Sequence, residues 1–154
     1  SSTDRRLFTG KVLLHILCDG GQKQQGFCLK RGKGKWLKNK RELGKEYEAA
    51  VRRILEKRGY RILRENYRCP IGEIDLIARA GNTLVFVEVK YRSSKRCGLP
   101  EEAVSVGKQR RISRTARWYL MEQGYADEVI CRFDVAAVSK DGVQIYQNAF
   151  DCQS

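Results

Sequence analysis

The sequence predicts an α/β domain with the order helix, three strands, helix, two strands, preceded by a basic extension. Three observations carry this. Apolar residues recur at helical spacing over two segments, strand-like runs bounded by turn residues fill five others, and the composition shifts near residue 41. A chain of 154 residues holds one real core and has little room for two.

The first helix is predicted from Leu43, Tyr47, Ala50, Val51, Ile54 and Leu55, which form one stripe, and Gly59 supplies its stop. Tyr60 to Arg68 reads as an extended strand ending at Cys69-Pro70. Two further strands, Ile71 to Arg79 and Thr83 to Arg92, flank Gly81-Asn82, a Gly-first pair suited to a type II′ hairpin turn. The second helix is expected over Val106 to Glu122, with Ile112, Ala116, Tyr119 and Leu120 turned inward. Cys131–Val138 and Val143–Tyr146 are the last two strands, joined by Lys140-Asp141-Gly142. The expected division is an extension over 1–40, a domain over 41–150 and a tail over 151–154.

The charge is uneven. Lys and Arg number 31 against 18 Asp and Glu, for a net +13, which favours a polyanionic partner such as nucleic acid. Residues 1–41 hold eleven basic and two acidic residues, so most of the excess belongs to the extension. Residues 19–41, rich in Gly, Gln and Lys, read as a flexible basic linker. Six scattered cysteines show no close pair of zinc-site spacing. The apolar run Val12-Leu13-Leu14-His15-Ile16-Leu17-Cys18 is too short to span a membrane, and no small-residue cleavage site follows it. The expectation is a cytoplasmic protein with reduced thiols and no membrane partner.

Residues two apart in a strand share a face, so Glu88 and Lys90 point the same way. A hairpin that pairs Ala80 with Thr83 sets Asp75 opposite Glu88 on that face. Glu88 lies within Leu84-Val85-Phe86-Val87-Glu88-Val89-Lys90, the most apolar strand of the chain. Two desolvated carboxylates side by side repel each other, and a divalent cation between them resolves the conflict. All-oxygen donors favour Mg²⁺ or Mn²⁺ over zinc, and the Val89 carbonyl is a candidate further ligand. Lys90 is placed to orient an attacking water or help deprotonate it. Glu48, beside the apolar stripe of the first helix, is the fourth candidate, either completing the metal shell or holding a second ion. Pattern alone leaves two readings open: an active site, or a surface ion pair on a solvent-facing sheet.

Several motifs carry a resemblance. Gly44-x-x-x-Glu48, Gly59-Tyr60, Glu65-Asn66-Tyr67-Arg68, Gly72-Glu73-Ile74-Asp75-Leu76-Ile77-Ala78, Val85-Phe86-Val87-Glu88-Val89-Lys90-Tyr91-Arg92, Lys108 and Arg132-Phe133-Asp134-Val135 resemble the YraN family. These are uncharacterised bacterial proteins of the restriction-endonuclease-like superfamily, and the likeness runs over residues 41–150. It implies a mixed sheet flanked by helices with a PD-(D/E)xK core. Asp75 then matches the first acidic position, Glu88 and Lys90 the E-x-K, and Glu48 the helix carboxylate. The layout is also similar to archaeal Holliday junction resolvases. Ile74 rather than Pro precedes Asp75, which is usual in this family.

Smaller features admit two readings each. Arg110, Arg114 and Arg117 form a helical stripe beside Lys108 and Arg111, which either contacts phosphates or is a solvated face, and the solvated face is the simpler. Tyr91 and Arg92 are candidates for contact with a bound strand, and edge packing explains Tyr91 equally well. Asp134 reads as structural, through Arg132. The function expected is Mg²⁺- or Mn²⁺-dependent cleavage of DNA, branched or repair-intermediate DNA included, with a homodimer as the form suited to junctions. The alternative is a non-catalytic nucleic-acid-binding module on the same fold.

Overall fold

The computed structural model describes residues 40–92, 104–125, 129–139 and 141–153. The expectations for residues 1–39 lie outside the described residues, as does the predicted turn residue Lys140. The elements follow the expected order: α1 (Lys40–Lys57), β1 (Arg61–Arg68), β2 (Glu73–Ala80), β3 (Thr83–Tyr91), α2 (Val106–Glu122), β4 (Cys131–Ser139) and β5 (Gly142–Phe150). The five strands form one mixed sheet in the order β1-β2-β3-β4-β5. All neighbours are antiparallel except β3 and β4, which run parallel and are joined through α2. Among the described residues no helix is long and apolar enough to cross a membrane.

The two helices cover opposite faces of this sheet. Val51, Ile54 and Leu55 of α1 pack with Leu76, Ala78, Val85, Val87, Ala136 and Val138. On the other face Ile112, Ala116, Tyr119 and Leu120 of α2 meet Ile77, Leu84, Phe86, Phe133, Val135 and Phe150. Strand β3 is buried from both sides, which explains its unbroken apolar run from Leu84 to Val87. Phe86 is central, stacked on Phe133 and edge-on to Tyr119. Truncating it to Ala would cost about 3–5 kcal/mol.

Two strand boundaries differ from expectation by two residues or more, each for a local reason. Strand β2 starts at Glu73 rather than Ile71, because the Cys69 amide donates to the Gly72 carbonyl at 2.9 Å and makes 69–72 a turn. Strand β5 runs to Phe150 rather than Tyr146. Its register against β4 shifts between Phe133 and Val135, where Asn148 takes φ 50° and donates its amide to Asp134 Oδ1 at 3.0 Å. A bulge fastened by a buried carboxylate continues a strand whose polar residues read as its end. Arg132 Nε also reaches Asp134 Oδ1 at 3.0 Å, so Asp134 is structural. Past β5, the Gln153 amide donates to Ser113 Oγ on α2 at 3.0 Å.

The β2–β3 hairpin decides where the site lies. Gly81 has φ 58° while Asn82 is not among the positive-φ residues, as a type II′ turn requires. The pairing runs from Ala80↔Thr83 to Leu76↔Val87, the expected register, and stops there. Asp75 and Glu88 stand one step beyond the last pair. At that level the pleat of β2 turns over. Ile74 packs on the α2 side and Leu76 on the α1 side, although residues two apart in a regular strand share a face. Neighbouring β1 does the same. Tyr67 packs on the α2 side, Glu65 pairs with Arg52 of α1, and Asn66 between them takes φ 49°. The two turnovers coincide, because Glu65↔Leu76 and Tyr67↔Ile74 are in one register. The sheet therefore opens between β2 and β3 at Asp75.

Candidate active site

The start of β2, the end of β3, the middle of α1 and the first turn of α2 meet at this open end. Asp75 accepts a hydrogen bond from the Val89 amide at 2.7 Å. Glu88 is only 7% exposed, and Lys108 Nζ lies 3.3 Å from its Oε1. Lys108 belongs to the first turn of α2, whose N-cap is Ser105. Glu48, on α1, accepts from Asn66 Nδ2 at 2.9 Å.

The electrostatics record how close these groups are. Burial, then the Glu88 charge, pushes the Asp75 carboxyl up to about 7, with Glu48 adding to the rise. The Val89 amide and Lys108 act against it and do not win. Glu88 is likewise raised by burial and, further down, by Glu73, while Lys108 and Lys90 pull it down. Two carboxylates thus share a poorly solvated space, with two lysines supplying the compensation the protein itself offers.

Of the residues singled out in the sequence, Asp75, Glu88 and Lys90 come together with Lys108. Glu48 stands slightly apart: its charge is felt at Asp75, but its carboxylate is tied to Asn66. Val89 contributes its amide to Asp75. Lys108, read from sequence as a nucleic-acid contact, sits against Glu88. Tyr91 is exposed and stacks on Tyr47 of α1 with centroids 5.0 Å apart, while the Arg92 amide bonds to the Val138 carbonyl at 2.7 Å. Arg110 and Arg114 lie on the exposed face of α2. Sequence reasoning did not single out Asn66 as a site residue. No periodicity marks it, since its role comes from a left-handed backbone position that carries its amide to Glu48.

The donor set can be tested against a metal. Among the described residues, no three His, Cys, Asp or Glu side chains lie close enough to hold an ion together. That does not suit the closed shell of a structural zinc. Two mutually repelling carboxylates do suit Mg²⁺ or Mn²⁺, which keeps several waters and takes one or two carboxylates plus substrate phosphates. The described cysteines, Cys69, Cys131 and Cys152, form no disulfide.

A five-stranded mixed sheet between two helices, opened beside a carboxylate pair, defines the α/β class that the sequence predicts. Within that class the chain belongs to the uncharacterised protein family UPF0102, whose model matches residues 47–138. It is 50% identical over 109 residues to a UPF0102 protein of Lachnoclostridium phytofermentans, covering 71% of this chain and 91% of that one. A UPF0102 protein of Moorella thermoacetica is 45% identical over 117 residues, covering 72% and 97%. This is the family the sequence resembled as YraN. Among solved structures, SfsA of Pyrococcus furiosus in complex with Ca²⁺ is a loose likeness, with TM-score 0.34 and 15% identity over 79% of this chain and 74% of that one.

Proposed function

We propose that the chain is a Mg²⁺- or Mn²⁺-dependent endonuclease that hydrolyses phosphodiester bonds in DNA, including branched or repair-intermediate DNA. One observation carries this reading: Asp75 and the 7%-exposed Glu88 lie within electrostatic reach of each other where the hairpin opens, with Lys108 3.3 Å from Glu88. A purely structural pair would gain stability from an apolar replacement, whereas a site that must receive a cation keeps its repulsion.

When held by Asp75 and Glu88, the divalent ion would supply positive charge for the phosphate oxygens and acidify a bound water. The remaining work falls to the chain. The Val89 amide fixes one Asp75 oxygen, so that carboxylate is oriented before any ligand arrives. Lys90, on the face of Glu88, orients the attacking water. Lys108 is close enough to exchange Glu88 for a substrate phosphate oxygen. Glu48, steadied by Asn66, adds negative charge at the α1 side of Asp75. For a junction with paired scissile strands the acting unit is a two-fold homodimer. The same reading places the protein in the cytoplasm, where DNA is reached.

A second reading draws on one contact. Lys108 already neutralises Glu88 from 3.3 Å, which would suit a nucleic-acid-binding module that cuts nothing. Incubation with branched, duplex and single-stranded DNA, with and without Mg²⁺ or Mn²⁺, separates the two. Cutting that appears only with metal supports the nuclease; salt-sensitive binding without cutting under either metal supports the module.

A further inference from the structure

Beside the carboxylates, on the α2 side, lies a cleft of about 380 Å³ lined by Arg68, Cys69, Gly72, Glu73, Lys108 and Arg111. Its volume falls within the range that holds a small ligand or one nucleotide unit. Three cations face one carboxylate. Arg68 is paired with Glu73 at 3.4 Å, but both side chains are largely exposed, so that pair holds weakly. Arg111 has no ion pair among the described residues. Lys108 belongs to both places, lining the cleft while its Nζ stands 3.3 Å from Glu88.

The cleft depends on a glycine. A Cβ on Gly72 would come within 2.9 Å of Arg111 Cγ and 3.0 Å of Thr115 Oγ1. The bare backbone of the 69–72 turn is what lets the stem of Arg111 lie against it, with Thr115 buried behind. Three donors of fork or ammonium type around a concave, net-positive space match a phosphate group better than any neutral ligand.

We propose that this cleft is a phosphodiester subsite, which holds a phosphate of the bound strand next to the scissile one and positions it through Arg68 and Arg111. Lys108 links the two, so a strand seated in the cleft enters the carboxylate pair in a fixed register. This rests on the nucleic-acid reading above and adds a residue-level position for the strand.

Cys69 is a built-in reporter, since its half-buried thiol lines the cleft. The test uses the full chain carrying Asp75→Asn in EDTA, so that nothing is cut. Alkylation is followed residue by residue by mass spectrometry, with Cys152 as the internal reference. A bound oligonucleotide should slow alkylation at Cys69 at least about fivefold. Arg111→Gln should abolish that protection and lower the slope of log affinity against log salt by about one. Arg68→Gln should do the same in part. Unchanged Cys69 alkylation with the oligonucleotide demonstrably bound would overturn the subsite and leave the nuclease reading standing. Inorganic phosphate or a mononucleotide protecting at lower concentration than the oligonucleotide would overturn the strand assignment. No oligonucleotide binding at all would remove the reading on which the subsite rests.

Discussion

The Val89 amide donates to Asp75 Oδ2 at 2.7 Å, one step past the last β2–β3 pair, Leu76↔Val87. A strand amide here ends on a carboxylate where the ladder stops, so the opening of the hairpin and the orientation of Asp75 are one event. The bond favours ionised Asp75, yet burial and the Glu88 charge outweigh it and leave the carboxyl near 7. Burial raises the structural Asp134 as well, so at Asp75 it is the neighbouring Glu88 charge that sets the carboxyl apart.

Asp75→Asn should stabilise the protein, and more so as pH rises. The folded Asp75 titrates near 7, whereas the unfolded side chain titrates near 3.8. Below that lower value both states are protonated and the group contributes nothing. Between the two values the unfolded chain releases its proton while the folded one keeps it, so stability falls as pH rises, and above 7 the loss is complete. Asn keeps an oxygen for the Val89 amide and carries no charge. In EDTA the variant should melt about 5 °C higher at pH 8, and the difference should vanish near pH 4. Scanning calorimetry at both pH values checks this; an equal difference at each would contradict it.

Lys108→Met should make the site hungrier for an added cation. The ammonium now pulls the Glu88 carboxyl down, and without it burial raises that group further. Thermal stabilisation by Mn²⁺ at pH 8 should then exceed that of the unaltered protein by about 2 °C. A smaller shift than in the unaltered protein would contradict the view that Lys108 and the ion compete for Glu88.

Asn66 separates backbone from chemistry. Its φ of 49° strains any residue with a Cβ, so Asn66→Ala should cost about 1 kcal/mol, while Asn66→Gly keeps the turn. Both lose the hydrogen bond to Glu48. The Gly variant should therefore melt close to the unaltered protein and cleave about tenfold more slowly. Unchanged cleavage in Asn66→Gly would place Glu48 outside the chemistry.

Much of this was legible in the sequence because local rules set it. Gly81-Asn82 fixes the hairpin register from Ala80↔Thr83 to Leu76↔Val87, which ends one step short of Asp75 and Glu88. The apolar stripes of both helices gave their buried faces correctly, Ile112, Ala116, Tyr119 and Leu120 among them. What escaped depends on distant parts of the chain. Lys108 reads as one more basic residue on a basic helix until α2 is laid across the sheet. The turnover at Asn66 and Asp75 needs two strands to lose their pleat together, which neither strand's alternation announces. The Gly72 contact with Arg111 likewise joins a turn to a helix 39 positions later in the chain.

The most direct measurement pairs folding with cutting in one sample. Unaltered protein, Asp75→Asn and Glu88→Gln are each melted and then incubated with end-labelled branched, duplex and single-stranded DNA, with Mg²⁺ or Mn²⁺ or with EDTA. Cutting by the unaltered protein is expected only with metal, and cutting reduced at least about a thousandfold is expected in both variants, although Asp75→Asn is the more stable protein. Cleavage that survives in either folded variant, or that proceeds equally in EDTA, would contradict the assignment of the carboxylate pair.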